Sequence, residues 1–156
     1  MADRLTAAIP QQQELALVHG DFHVENVITS PADGRVRAVL DWELCTLGDP
    51  LADLGGLFAY WPHIGESTTP VLNLPTLPGF PSRQELATAY AGRTGRSLDA
   101  LGFWHVLGLW KLAIIAEGVL QRAQAEPRNA TPGRQSLPCS WKTSSRALRV
   151  ADAEGL

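Results

Sequence analysis

A polar loop between short apolar runs is the feature that most constrains how this chain folds. The loop reads His19-Gly20-Asp21-Phe22-His23-Val24-Glu25-Asn26, with apolar residues at 15–18 before it and at 27–29 after it. Residues 31–34 have turn chemistry, because Pro presets φ and Gly accepts a positive φ. A third apolar run, 36–40, ends at Asp41, fifteen residues after Asn26. The pattern predicts three short strands and a hairpin that brings Asp21 and Asp41 to one edge.

The spacing of these polar residues indicates a chemistry. The loop fits H-x-D-x-x-x-x-N, the pattern of a phosphoryl-transfer catalytic loop in which Asp is the base and Asn binds magnesium. In that arrangement a further Asp, on the strand that follows, also holds the metal. Carboxylate and amide oxygens suit magnesium, a hard cation that takes its remaining ligands from water and substrate phosphates. The sequence therefore predicts Asp21 as base and Asn26 and Asp41 as metal ligands.

These segments, together with residues 46–54, resemble the aminoglycoside phosphotransferase (choline-kinase-like) family of the protein-kinase-like fold. The closer likeness is to the branch that resembles the kinase-like domain fused to acyl-CoA dehydrogenases, and it extends over roughly residues 12 to 125. The resemblance implies Mg²⁺ and ATP (or GTP) as cofactors and a small-molecule hydroxyl as acceptor. It also implies that Asp49 supports the loop and that Glu43 is a second acidic residue at or near the metal. His19 is expected to be structural, and His23 to lie on the substrate side.

Length bears on which part of such a fold is present. The polar loop begins at residue 19 of 156, whereas the family's domain opens with a nucleotide-binding lobe that carries a phosphate-covering loop and a lysine paired with a glutamate. Neither feature precedes His19. We therefore expect an α+β fold corresponding to the C-terminal, mainly helical lobe, with a small β-hairpin carrying the catalytic loop. Expected partners are the nucleotide, the hydroxyl substrate, and either the missing lobe or a second copy of the chain.

Helical patterns dominate the rest of residues 1–125, which we predict to form this lobe. Helices are expected at 49–60, from a capping box at Ser82 and Glu85 to about residue 92, and at 99–125. The segment 101–120 is long and apolar enough to suggest a membrane span. Its His105, Lys111 and Glu117 favour a core helix instead, so no membrane is expected. Prolines and serines break every period from residue 126 to 156, which predicts a disordered or atypical tail.

Composition excludes some classes of protein. The net charge of −3 argues against nonspecific nucleic-acid binding, which needs clustered Lys and Arg. The two cysteines, Cys45 and Cys139, lack the spacing of a zinc site or a disulfide framework. The polar N-terminus does not have the pattern of a signal peptide. A cytoplasmic location is therefore expected.

Two other functions remain open from the residues alone. One is a non-catalytic remnant of the fold that binds a partner through an apolar surface. The other is a metal hydrolase, in which His19, Asp21, His23 and Asp41 would hold zinc or a transition metal. The hydrolase interpretation leaves Asn26 and the spacing of Asp41-Trp42-Glu43 unexplained, so the phosphotransferase interpretation is preferred.

Overall fold

The structure, a computed structural model, describes residues 1–62, 77–125 and 139–156. Strands are concentrated in the first third of the chain and helices in the rest. The helices are α1 (Ala2–Ala7), α2 (Leu51–Ala59), α3 (Arg83–Thr94), α4 (Leu101–Ala125) and α5 (Cys139–Ala153). The strands are β1 (Ala16–Val18), β2 (Val27–Thr29), β3 (Val36–Val39) and β4 (Thr46–Gly48). Short 3-10 helices occupy Val24–Asn26 and Trp42–Leu44.

The strands form two separate antiparallel pairs. β2 and β3 make a hairpin, with Val27 opposite Val39, and the predicted turn closes it through Gly34 at φ 66°. β1 pairs instead with β4, a strand that the sequence analysis did not predict, and Leu17 lies opposite Leu47. The hairpin thus forms where the turn at 31–34 predicts it, whereas the pairing of β1 with β4 was not predicted. The hairpin that forms joins Asn26 to Asp41, and the Asp21 loop runs between the two sheets.

Helices α2 and α3 begin where their capping residues predict. The Asp49 carboxylate accepts a hydrogen bond from the backbone N–H of Leu51 at 2.9 Å, in the first turn of α2. Ser82 and Glu85 form a reciprocal capping box at the start of α3, and Gly95 ends that helix at φ 71°. One face of α2 is apolar, and the side chains on it are all buried: Leu51, Leu54, Leu57 and Phe58.

Glycines allow α2 and α4 to cross at very short range. A Cβ added to Gly55 would lie 2.4 Å from the backbone carbonyl carbon of Trp104. A Cβ added to Gly108 would lie 3.0 Å from the Gly55 carbonyl oxygen. Real Cβ atoms do not tolerate the first of these distances, so the crossing depends on hydrogen at residue 55. This close contact fixes α4 directly behind the helix that supports the Asp21 loop.

The C-terminal segment is ordered where the structure describes it. Residues 139–153 form α5, which packs along α4, and Ala147 and Ala151 are completely buried. Arg146 donates hydrogen bonds to the carbonyl oxygens of Phe58 and Ala59 at the end of α2. The expectation of a disordered or atypical tail over 126–156 is thus wrong from Cys139 onward. The expectation rested on the prolines and did not consider Ala147 and Ala151, whose i, i+4 spacing suits a close helix contact.

Helix α4 has an uneven environment along its length. Phe103, Val106 and Leu109 are buried, whereas Ile114 and Ile115 are 54% and 42% exposed. The stretch Leu101–Arg122 is long and apolar enough to cross a membrane by length and composition alone, with 28% of it buried. A core helix passes the same test, and α4 packs against both α2 and α5. The predicted absence of a membrane span stays a prediction.

The proline-rich segment 61–81 lies largely outside the described residues. At its start, Trp61 is buried and donates its indole N–H to the Pro81 carbonyl oxygen at 2.8 Å. This bond ties the two ends of the loop together beside α3. Residues 126–138 of the predicted tail are also outside the described part of the chain.

The crossing of α2 and α4 can be tested with two neighbouring glycines. We expect Gly55→Ala to lower the free energy of unfolding by about 1–3 kcal/mol, because its Cβ would overlap the backbone of α4. Gly56→Ala is the matched control, since a Cβ there meets nothing within 4 Å. It should be neutral or stabilising by up to about 1 kcal/mol from helix propensity. Urea denaturation of both variants measures the difference, and equal midpoints would contradict the close crossing.

Candidate active site

The side chain of Asp53, in the first turn of α2, holds the backbone of the Asp21 loop. Its carboxylate accepts hydrogen bonds from the backbone N–H groups of His19 at 2.7 Å and Gly20 at 2.9 Å. Gly20 has φ 83°, and a Cβ at this position would lie 2.4 Å from the Leu44 carbonyl oxygen. The loop conformation therefore requires an acceptor for these two amides and a residue without a side chain at position 20. Asp53 therefore fixes the backbone immediately before Asp21.

His19, which the sequence analysis expected to be structural, lies between two backbone groups. It is only 2% exposed, and its Nε2 lies 2.7 Å from the Leu40 carbonyl oxygen. The backbone N–H of Asp21 donates to its Nδ1 at 3.3 Å. His19 thus connects the residue before Asp41 to the backbone of Asp21 and has neither nitrogen left for a metal ion.

Asn26 joins the loop to the hairpin. Its side-chain N–H donates to the Asp21 carbonyl oxygen at 2.9 Å, and its own carbonyl oxygen accepts from the Leu40 N–H at 2.8 Å. The amide oxygen of Asn26 is on the other branch of the side chain and is the atom suited to a cation. Hydrogen bonds therefore link Asn26 both to the Asp21 backbone and to Leu40, the residue before Asp41.

Asp41 has an unusual backbone conformation. With φ 64° and ψ 53° it is left-handed, alone among the non-glycine residues that the structure describes. It is exposed at the point where β3 turns into the 3-10 helix Trp42–Leu44. Trp42 anchors this bend by donating its indole N–H to the Val39 carbonyl oxygen at 2.8 Å. Glu43, the predicted second acidic residue, lies in the same turn and is also exposed.

Two aromatic rings flank the Asp21 carboxylate. Tyr60 places its hydroxyl 3.5 Å from Asp21 Oδ1, and His23 Nε2 lies 3.5 Å from Asp21 Oδ2. The two rings stack with their centroids 4.6 Å apart. Burial and the neighbouring charge of Asp21 raise the pKa of Tyr60 to about 12, so the phenol keeps its proton at neutral pH. Tyr60 therefore acts as a donor toward Asp21, and His23 lies beside the carboxylate, where the sequence analysis expected a substrate-side residue.

A small cavity opens beside Asp21. Its volume is about 210 Å³, and it lies between the loop, α2 and α4. The walls are mainly apolar, with Phe22 and Leu107 among them, and include Tyr60 and Lys111. The Lys111 ammonium reaches the loop from the middle of α4 and donates to the Gly20 carbonyl oxygen at 2.5 Å. The cavity is thus an apolar space with the Asp21 carboxylate and one ammonium group on its walls.

The structure moves one predicted role to another residue. Asp49 was expected to support the loop, but it caps α2, and Asp53 makes the supporting bonds. Both acids occur in the run Gly48-Asp49-Pro50-Leu51-Ala52-Asp53, so the region was identified but the wrong acid was chosen. Sequence reasoning also missed the contacts of Tyr60 and Lys111. Their partners are 39 and 91 residues away in the chain, and no local pattern reports such distances.

With this geometry established, comparison with known proteins identifies the class. The chain matches the model of the phosphotransferase enzyme family over residues 1–101, and it belongs to that family. A solved structure agrees on the fold: the putative aminoglycoside phosphotransferase from Ralstonia eutropha superposes with a TM-score of 0.64 at 28% identity. The match covers 97% of this chain and 45% of that one. The α+β, kinase-like phosphotransferase fold is confirmed at this level.

Sequence relatives support the predicted branch. The chain is 43% identical over 117 residues to acyl-CoA dehydrogenase family member 11 of Mus musculus, covering 70% of this chain and 14% of the relative. It is 33% identical over 153 residues to family member 10 of the same organism, covering 94% and 14%. Viomycin phosphotransferase of Streptomyces vinaceus is 40% identical over 62 residues, covering 37% and 22%. The chain therefore spans about one seventh of the length of the first two relatives.

The support from Asp53 can be separated from the cap at Asp49. We expect Asp53→Ala to cost about 1–3 kcal/mol of stability, because two backbone donors lose their partner. It should also speed hydrogen exchange at the amides of His19 and Gly20. Asp49→Ala is the matched control: it removes a helix cap worth about 1 kcal/mol and should leave those two amides protected. Exchange measured by NMR decides, and equal protection in both variants would show that Asp53 does not hold the loop.

Proposed function

We propose that this chain is the catalytic lobe of a magnesium-dependent phosphotransferase that moves the γ-phosphate of ATP or GTP to the hydroxyl of a small molecule. The observation that carries the proposal is the set of hydrogen bonds that connects Asp21 and Asn26 to Leu40, the residue immediately before Asp41. Family membership supports the same reaction class. Phosphoryl transfer depends mostly on positioning and electrostatic stabilisation, so a rigid frame for these three side chains is what the reaction needs.

The residues at the end of the hairpin fit a magnesium ion. The Asp41 carboxylate and the Asn26 amide oxygen are hard oxygen donors, and exposure of Asp41 leaves room for water and phosphate oxygens around the cation. Bound there, the ion would neutralise charge on the transferring phosphate. Glu43 is the additional acid of this turn, at or near the same ion. These assignments explain why polar side chains stand on both strands at the open end of the β2–β3 hairpin.

Asp21 is the residue placed to act on the acceptor. Its carboxylate opens to the cavity and can orient the acceptor hydroxyl and take its proton as the oxygen attacks phosphorus. Tyr60 and His23 limit the rotation of the carboxylate by approaching one oxygen each. The bond from Asn26 to the Asp21 backbone holds base and metal ligand in one unit. Base and metal ligands thus face the reacting phosphate from one loop and one hairpin.

The metal-hydrolase alternative receives less support from the site. It requires His19 as a ligand, and both ring nitrogens of His19 are engaged by Leu40 and Asp21. Across residues 1–62, 77–125 and 139–156, no three His, Cys, Asp or Glu side chains are grouped to hold one metal ion. Magnesium bound by one Asp, one Asn and substrate oxygens needs no such group. The Asn26 and Asp41 arrangement is therefore better explained by phosphoryl transfer.

An exposed apolar surface supports the proposal that another lobe or a second copy covers the strands. Leu17 and Leu47 lie opposite each other on β1 and β4 and are 61% and 66% exposed. Val36 and Leu44 are 59% and 52% exposed nearby in the chain. Apolar patches of this kind mark contact surfaces. A nucleotide-binding lobe seated here would complete the kinase, and the binding-module alternative would use the same surface for another partner.

The role of Asp21 can be tested in a full-length protein that joins this chain to a nucleotide-binding lobe. We expect Asp21→Asn to lower kcat about 10²–10⁴-fold with little change in nucleotide affinity, because a general base acts mainly in the transition state. Transfer of labelled phosphate to an acceptor panel is the measurement. Asp33→Asn, in the hairpin turn, is the control and should keep full turnover. Normal kcat in the Asp21 variant would refute its role as base.

The metal assignment has a separate test. In the same protein, Asp41→Ala should weaken binding of magnesium-ATP, since the carboxylate acts through the cation on the phosphates. Glu43→Gln keeps the size of its side chain and should have the smaller effect. Titration calorimetry at several magnesium concentrations compares the three proteins. The same magnesium dependence in Asp41→Ala and the parent would rule out Asp41 as a ligand.

The 156-residue chain alone should behave as an incomplete kinase. We expect it to bind magnesium-ATP with Kd of roughly 1 mM or weaker, about −4 kcal/mol, and to show no turnover. It should also self-associate in light scattering through the exposed strands. Leu47→Lys should reduce that association. Ile114→Lys, which replaces another exposed apolar side chain but on α4, should not. Robust turnover by a monomer would contradict this expectation.

A further inference from the structure

Lys111 occupies a position that packing alone does not require. It lies in α4 one turn after Gly108, a residue that meets the backbone of α2 at Gly55 and Gly56. That crossing places the lysine beside the Asp21 loop, and its ammonium donates to the Gly20 carbonyl oxygen. The segment of α4 around it is otherwise apolar, with Leu107, Leu109 and Leu112 as neighbours. A cation is thus delivered to the loop from a helix whose other residues favour burial.

The charge of Lys111 has no protein counter-ion in the part of the chain that the structure describes, where no carboxylate lies within 4.0 Å of its Nζ. The ammonium has three donors, and the Gly20 carbonyl takes one of them. Its side chain also lines the 210 Å³ cavity beside Asp21. Two carboxylates line the same cavity: Asp53, which is bonded to two backbone amides, and Asp21, which is taken to receive the acceptor hydroxyl. The cavity therefore presents one cation to whatever enters it.

We propose that Lys111 determines acceptor specificity by binding an anionic group on the acceptor, such as a carboxylate, close to the hydroxyl that is phosphorylated. This inference rests on the proposed function, because it takes the cavity beside Asp21 as the acceptor site. The volume is below the roughly 300–1,000 Å³ of pockets for drug-sized ligands, so a small acid or the acidic end of a larger molecule fits. The apolar walls take the short carbon skeleton between hydroxyl and anion.

The charges on the wall favour an acid over an amino alcohol. Asp21 must receive the acceptor hydroxyl, and a cationic substituent beside it would meet the Lys111 ammonium. A carboxylate in that place forms a charge-assisted hydrogen bond, which is shorter and stronger than a neutral one. The anion is then recognised by a residue of α4 while the reacting oxygen remains at the loop.

Lactate and lactamide test this directly, because they differ in charge but hardly in shape. Binding to the 156-residue chain is followed by NMR through the amide shifts of Gly20, Asp21 and Tyr60, without nucleotide. We expect lactate to bind at least fivefold more tightly than lactamide, and choline to bind more weakly than lactate. In Lys111→Met the preference for lactate should disappear, and in Lys111→Arg it should be largely retained. Asp21→Asn should strengthen lactate binding by removing a repulsive charge, without abolishing the dependence on Lys111.

A control separates the local charge from the net charge. Arg122→Met removes one positive charge from the same helix, three turns away from Lys111, and should leave the preference unchanged. Circular dichroism confirms that each variant is folded. An equal lactate-to-lactamide ratio in the parent and Lys111→Met, or no binding of lactate to the parent, would overturn the proposal. Because binding is measured without phosphoryl transfer, an inactive full-length protein would contradict the proposed function and leave this result standing.

Discussion

One carboxylate holding two backbone amides is the interaction on which the site depends. Asp53 receives the N–H groups of His19 and Gly20, and the next residue is Asp21. A loop of this length would otherwise have to satisfy those amides with water, and its backbone would be free to move. These two hydrogen bonds fix the loop to a buried helix and so restrict its motion. The orientation of Asp21 therefore depends on the position of α2.

Helix α2 is in turn fixed at both ends and along its length. Asp49 accepts from its first turn, and Arg146 of α5 reaches the carbonyl groups at its last turn. Gly55 brings it against α4, and the buried Leu51, Leu54 and Leu57 add apolar contacts along its length. A nine-residue helix is marginal on its own, so this stability comes from tertiary contacts. The site is consequently supported by residues spread over most of the described chain.

Sequence patterns predicted what is local. The loop, the hairpin turn and the starts of α2 and α3 follow from turn chemistry, capping residues and periodicity, and the structure confirms them. Strand β4 was missed because three residues carry too little pattern, and its pairing with β1 is set by the intervening hairpin. The order of α5 was missed because its burial depends on α4, which no local rule includes.

The candidate site divides in the same way. Asp21, Asn26 and Asp41 could be found because their spacing is a property of one continuous segment. Choosing Asp53 rather than Asp49 required the direction of the α2 axis relative to the loop, which depends on packing. In the sequence, Lys111 is only a charged residue within an apolar helix. Its contact with Gly20 depends on the close packing of two helices, which the glycines at 55 and 108 allow.

The left-handed backbone of Asp41 lowers the stability of the fold, whereas the proposed chemistry needs a carboxylate at this position. A residue with a Cβ pays about 1 kcal/mol in this conformation, and glycine would adopt it without strain. The chain nevertheless carries a carboxylate there. A screen that rewarded only thermal resistance would thus drift toward glycine at this position and select proteins that had lost the acid. Robust variants of this lobe should for that reason be sought elsewhere in the molecule, with residue 41 held constant.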